Sequence, residues 1–129
     1  MNYVIDASAV LASILGEPGA DRVRAVLADR PGIASVNLGE VAHRLTMKGR
    51  PCDAVARLLD RYPLTVIDVD RELALEAGFA ATIAKPFGLS FADRICLLLS
   101  KRLGLPILTG DREWLKVAPL LGVQVEMFR

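Results

Sequence analysis

Histidine and cysteine are nearly missing from this chain, which has one of the first and two of the second. Cys52 and Cys96 lie far apart, so they form no Cys-x-x-Cys redox pair and supply no zinc ligand set. His43 has no partnered Ser/His/Asp arrangement to complete. Ser8 lacks a Gly-x-Ser-x-Gly elbow. No Gly-x-x-x-x-Gly-Lys loop marks a P-loop NTPase, and no Gly-x-Gly-x-x-Gly follows the first apolar run to hold a dinucleotide. No apolar run approaches the roughly 20 residues of a membrane span. The start, MNYVIDASAV, has no basic region and is interrupted by Asp6, so it does not read as a secretory signal. Cys96 sits in the apolar stretch 95–99 and reads as a buried thiol. This cysteine usage points to a reducing, cytoplasmic location. An excess of one charge is lacking too: 16 Lys+Arg stand against 15 Asp+Glu, a net of +1. The total marks neither a strongly basic nucleic-acid binder nor an acidic tail.

What is present is the balance of a globular protein, 53% hydrophobic and 24% charged over 129 residues. No repeat or low-complexity segment divides it, and 1–129 reads as a single domain. That length buries a core without disulfides or a structural metal. Residues 3–5, 33–36, 64–67 and 106–109 read as short strands, and the alternation of 123–127 suits a half-exposed edge strand. Helical patterns fall between them, at 9–15, 19–28, 53–61 and 112–117. Leu38, Val41, Ala42 and Leu45 recur at helical spacing with one core face. Asp70 caps a predicted helix running to Ala84. Ser90 caps another from Phe91 to Leu103, apolar on nearly every side and so expected to be buried. Strands separated by helices imply parallel pairing through right-handed crossovers. The expected fold is α/β, a three-layer α/β/α sandwich with a central parallel sheet of about five strands.

Open parallel sheets bind ligands outside the carboxyl ends of their strands. Asp6-Ala7-Ser8 follows the first strand, Glu40 lies one helical turn beyond the second, and Thr109-Gly110-Asp111 follows the fourth. Asp93 opens the helix that precedes the fourth strand, and a crossover helix begins at that same edge. Singly, each carboxylate has a plain reading. Asp6 and Asp111 are placed as helix caps. Asp93 stands three residues after Ser90, as in a capping box, and Glu40 lies off its helix's apolar stripe like any solvated Glu. Together they differ, because four carboxylates at one sheet edge repel one another unless a cation neutralises them. Oxygen donors, with Ser8 and Thr109 nearby, suit hard ions such as Mg²⁺ or Mn²⁺.

Residues 4–9 (Val-Ile-Asp-Ala-Ser-Ala) resemble the opening of PIN-domain proteins. Residues 89–94 (Leu-Ser-Phe-Ala-Asp-Arg) and 101–111, ending Pro-Ile-Leu-Thr-Gly-Asp, are similar to that family's second half. Glu40, within Asn37-Leu38-Gly39-Glu40-Val41, falls where the family has an acidic helix residue. The short form resembles the VapC-type toxins of bacterial toxin–antitoxin pairs. The resemblance implies a Mg²⁺- or Mn²⁺-dependent endoribonuclease with Asp6, Glu40, Asp93 and Asp111 as its acidic quartet. It also implies that Ser8 and Thr109 orient carboxylates or waters. A cognate VapB-like antitoxin packing near the cleft, for which Leu11, Ile14 and Leu15 offer apolar contact, and a homodimer belong to the same expectation. Gly110 stands where many members carry a larger residue.

Arg44, Lys48, Arg50, Arg94 and Arg112 are candidate contacts for an RNA backbone, each also readable as solvated surface charge. Other classes remain open. A metal-dependent adhesion or binding module also follows its first strand with Asp-x-Ser, but it needs a further hydroxyl that Ala9 and Val10 do not supply. An aspartyl phosphatase needs an Asp where Ser8 stands, and a receiver needs a Lys after its last strand. A non-catalytic α/β subunit is the reading in which the quartet is solvated and apart. With four of the 15 acidic residues in one cleft, 11 remain against 16 basic ones. The surplus of five outside suits a protein that holds both a metal ion and a polyanion.

Overall fold

The computed structural model describes residues 1–129. Five short strands, β1 (Val4–Ile5), β2 (Gly32–Ala34), β3 (Thr65–Ile67), β4 (Ile107–Thr109) and β5 (Val125–Met127), form one sheet in the order β3-β2-β1-β4-β5. Every pairing is parallel, with Val4 opposite both Gly32 and Ile107. Helices α1 (Ala7–Leu15), α2 (Ala20–Leu27), α3 (Ser35–Met47), α4 (Cys52–Arg61), α5 (Arg71–Phe79), α6 (Ala81–Ala84), α7 (Phe91–Leu103) and α8 (Trp114–Leu121) make the connections. No helix is long and apolar enough to cross a membrane.

The sheet is covered on both faces, which is why its inner strands are buried at every position rather than at alternate ones. Ile5, Ile33 and Leu108 point to one core, filled by Val10 and Leu11 of α1, Val23 and Val26 of α2, Val41 and Leu45 of α3 and Val55 of α4. Their strand neighbours Val4, Ala34 and Ile107 point to the other, with Leu73 of α5, Ile95 to Leu99 of α7 and Trp114 and Val117 of α8. Adjacent strand residues thus serve opposite layers, as the period of two requires. The edge strand β5 is half-buried throughout.

Three local expectations change. The second strand stops at Ala34, and Ser35 and Val36 already belong to α3. Val36, β-branched and apolar, reads as strand by propensity, yet it is 36% exposed in the first helical turn. The single helix expected from Asp70 to Ala84 is broken at Ala80 into α5 and α6, followed by a 3₁₀ turn at Lys85–Phe87. The last helix starts and ends later than expected and carries Pro119 inside it. Burial of Trp114, Val117, Ala118 and Leu121 outweighs the one backbone bond that a proline forgoes.

Candidate functional site

The carboxyl edge of the sheet opens into a cleft of about 660 Å³. Asp6, Glu40, Asp93 and Asp111 all line it, with Ser8, His43, Arg44, Lys48, Trp114, Arg129 and a fifth carboxylate, Glu17, that was not anticipated. The four expected carboxylates arrive from the end of β1, the second turn of α3, the first turn of α7 and the turn after β4.

Asp6 is the most constrained. It caps α1, its Oδ1 accepting from the Ala9 backbone at 3.0 Å. The same Oδ1 accepts from Ser8 Oγ at 2.7 Å, and Oδ2 accepts from Thr109 Oγ1 at 2.6 Å. Each hydroxyl then accepts in turn from the loop after β4: Gly110 N donates to Ser8 Oγ and Asp111 N to Thr109 Oγ1, both at 3.1 Å. Two hydroxyls therefore tie one carboxylate to the backbone of the next acidic segment. A carboxylate has about four lone-pair positions, so three bonds leave roughly one free toward the cleft.

Asp93 closes a capping box at α7. Its backbone donates to Ser90 Oγ at 3.1 Å, and its Oδ2 accepts from Ser90 N at 2.9 Å. The cap reading of Asp6 and Asp93 is thus correct, and it is no rival to a functional one, because the caps aim both carboxylates at the cleft. Asp111 is not the cap of α8, whose cap position is Glu113. Its Oδ1 accepts instead from Glu113 N at 3.0 Å. Glu40 is held by Asn37, whose Nδ2 donates to Glu40 Oε1 at 2.9 Å and to the Ala92 carbonyl at 3.2 Å. Asn37 is 1% exposed and joins α3 to the first turn of α7. In the sequence it stood only as the context of Glu40, although its i,i+3 spacing to that residue was the available signal.

Electrostatics reports the convergence. Burial pushes the Asp6 carboxyl above the ordinary range, the three hydrogen bonds oppose that shift, and Asp93 adds repulsion. Asp93 is raised by burial too, against the pull of its Ser90 bonds, with Asp111 repelling it. The Cys96 thiol behind the cleft is driven well up, first by burial and then by Asp6, Asp93 and Glu40. It stays a neutral, inert thiol.

No three of the His, Cys, Asp and Glu side chains converge into a ready-made ligand cage. A hard ion that keeps several waters and binds through one or two carboxylates needs none. Two features fit such an ion: the donors are all oxygens, and the mutual repulsion of Asp6, Asp93 and Asp111 is what a cation relieves.

The basic candidates divide. Arg44 and Lys48, on and just after α3, line the cleft, and Arg50 and Arg112 are exposed away from its lining. Arg94 serves the fold instead. Its Nε donates to the Ala77 carbonyl at 2.9 Å and its Nη1 to the Leu89 carbonyl at 3.3 Å, and the guanidinium stacks 5.2 Å from the Phe91 ring. Of the apolar residues offered for a partner, Leu11 is buried in the core at 5% exposure, and Ile14 and Leu15 are half-buried against it, with Leu15 also lining the cleft. Arg129 was not anticipated at all.

Solved structures with the same fold include VapBC from Salmonella typhimurium bound to DNA (16% identity, TM-score 0.76, covering 100% of this chain and 99% of that one). VapBC2 from Rickettsia felis, bound to a promoter fragment, matches at 17% identity and TM-score 0.73 over 98% of both chains. FitAcB from Neisseria gonorrhoeae matches at 15% and 0.72 over 95% of both. Among curated proteins no sequence matches this chain. The PIN domain family profile matches residues 3–120, which takes in Asp6, Glu40, Asp93 and Asp111 and both bridging hydroxyls: the chain belongs to the PIN domain family.

Proposed function

We propose that the protein is a divalent-metal-dependent endoribonuclease, hydrolysing RNA phosphodiester bonds as the toxin of a toxin–antitoxin pair. The observation that carries this reading is the treatment of Asp6. A carboxylate is buried at 6% exposure, kept in acceptor geometry by three donors, and faces a cleft with four more carboxylates, Glu17, Glu40, Asp93 and Asp111. That costs stability, and binding a cation is the use that recovers it.

Asp6, Glu40, Asp93 and Asp111 would hold Mg²⁺ or Mn²⁺. Such an ion, when bound, makes a water nucleophilic near neutral pH and offsets charge on a phosphoryl group. Ser8 and Thr109 fix the Asp6 oxygens, Asn37 fixes Glu40, and the Ser90 box fixes Asp93, so the donors need little reorganisation when substrate arrives. Arg44 and Lys48 stand on the α3 side of the cleft to meet the RNA backbone. The structures of the same fold named VapBC and FitAcB support a cognate antitoxin as partner, with half-buried Leu15 at the cleft wall as its apolar footing.

The test is cleavage of bacterial RNA with Mg²⁺ or Mn²⁺. Wild type is expected to cut, EDTA to stop it, and Asp6→Asn and Asp93→Asn to lose at least about 100-fold in rate, the order seen when an electrostatic stabiliser of the transition state is removed. Variants that cut at the wild-type rate would overturn the reading.

A further inference from the structure

Phe128 and Arg129 follow β5 and fold back over the cleft in a seat built from two glycines. The Phe128 backbone donates to the Thr109 carbonyl at 3.2 Å, extending the β4–β5 pairing by one bond. Its ring is buried in the core on the α1 side of the sheet. Gly19, at φ +86°, lies so close beneath the Phe128 carbonyl that any Cβ would collide with it. A Cβ on Gly110 would fall 2.9 Å from Arg129 Nε, from Nη2 and from Phe128 Cζ. So Gly110 is the floor on which the Arg129 guanidinium lies. The guanidinium is also held 4.9 Å from the Phe128 ring, and Arg112 Nη2 donates to the Arg129 carbonyl at 3.3 Å. Its nearest carboxylate is Glu17, with Nη1 and Oε1 3.9 Å apart, beyond hydrogen-bond distance.

The result is a cation anchored by backbone and ring contacts, lining the acidic cleft beside the turn that carries Asp111. Its N–H fork is not consumed by a tight ion pair. Arg presents five donors in a planar fork that matches two phosphate oxygens. A negative cleft repels a polyanion, so a fixed cation at its rim is needed to seat one beside the carboxylates. We propose that Arg129 grips a backbone phosphate of the RNA next to the cleaved bond, and that Gly110 is a positioning residue that makes room for it. This rests on the nuclease reading and adds to it a residue from the β5 end of the sheet, where Arg44 and Lys48 come from the helix after β2.

The experiment measures binding of a fluorescein-labelled 12-nucleotide RNA by anisotropy, with Ca²⁺ in place of Mg²⁺ or Mn²⁺ and probe integrity checked on a gel, between 50 and 200 mM KCl (about 0.7 in log–log salt slope per phosphate contact on a single strand). Arg129→Ala is expected to weaken binding about 10-fold and to lower the salt slope by about 0.7, one contact's worth. Gly110→Ala, whose backbone tolerates alanine, should do the same by displacing the guanidinium. The double variant should be no worse than either single one, since both remove one interaction. Arg57→Ala, remote on α4, should match wild type. Mn²⁺ affinity measured by calorimetry without RNA should be unchanged in Arg129→Ala. Wild-type affinity and slope in Arg129→Ala would overturn the proposal alone, as would a loss of Mn²⁺ affinity equal to the loss of RNA affinity. A wild type that neither binds nor cuts RNA would overturn the nuclease reading and this one together.

Discussion

Thr109 Oγ1 donates to Asp6 Oδ2 across 2.6 Å although 103 positions separate the two residues, and it accepts from Asp111 N as it does so. One hydroxyl thus sets two acidic residues at once. Thr109→Val keeps the shape and removes both bonds. A buried carboxylate that loses a donor costs about 1–3 kcal/mol, so urea unfolding should show a lower midpoint at unchanged slope. RNA cleavage should fall with it, and Thr109→Ser should restore both. A valine variant as stable and active as wild type would mean that the hydroxyl only fills space.

Metal should stabilise the protein most at neutral pH. The folded-state carboxyls of Asp6 and Asp93 lie above their ordinary value. With the folded pKa above the unfolded one, the native state binds more protons in between, so metal-free stability falls as pH rises through that interval. Above it the penalty of two ionised, crowded carboxylates is complete. Mn²⁺ binds that ionised form, and at about 100 times its Kd it adds roughly 2.7 kcal/mol. The expected result is a Tm increase with Mn²⁺ at pH 7 that shrinks as pH falls into the carboxylate range. Asp6→Asn should show little of it. A shift independent of pH would argue against these groups as ligands.

The Ser90 box separates capping from chemistry. Ser90→Ala removes the Oγ acceptor but leaves the carboxylate of Asp93. It should cost about 1 kcal/mol of stability, measured by thermal unfolding, and only a few-fold in cleavage. Asp93→Asn should abolish cleavage at a similar stability. Equal loss of activity in the two variants would reduce Asp93 to a cap.

Arg94 gives the opposite pattern. Bonded to the Ala77 and Leu89 carbonyls, it ties α5 to the entrance of α7. Arg94→Ala should lower Tm by several degrees, since about 1 kcal/mol moves a domain of 129 residues by about 4 °C. The salt slope of RNA binding should stay at the wild-type value. A slope lowered by one contact would return Arg94 to the RNA surface.

Most of the sheet and the carboxylates Asp6, Glu40, Asp93 and Asp111 could be read from the chain because their signals are local. Buried runs such as 4–5 and 107–109, and the Ser90–Asp93 spacing, carry their structure within a few residues. Val36 misled because propensity responds to β-branching, whereas the start of α3 was decided by where Ser35 leaves the sheet. The last helix read too short because the cost of Pro119 is local, whereas the burial of Trp114 and Leu121 that outweighs it is not. Arg129 was unreadable for a stronger reason. Its place depends on the missing Cβ of Gly110 and on the close approach at Gly19. Those two glycines are far from Arg129 and from each other in sequence, and no window along the chain contains all three.

The strand order has a temporal consequence. β1 is made first and lies at the centre of the sheet, but its neighbour β4 comes more than 100 residues later. Chains emerge from the ribosome amino end first, at about 5–20 residues per second. Until Ile107–Thr109 docks beside Val4–Ile5, Asp6 lacks its Thr109 donor, Ser8 lacks Gly110, and Asp111 and Arg129 do not yet exist. A growing chain therefore carries an unfinished cleft throughout the synthesis of the residues between β1 and β4. On the nuclease reading, the cleft cannot act on its maker's RNA until residues 107–129 have been made and docked.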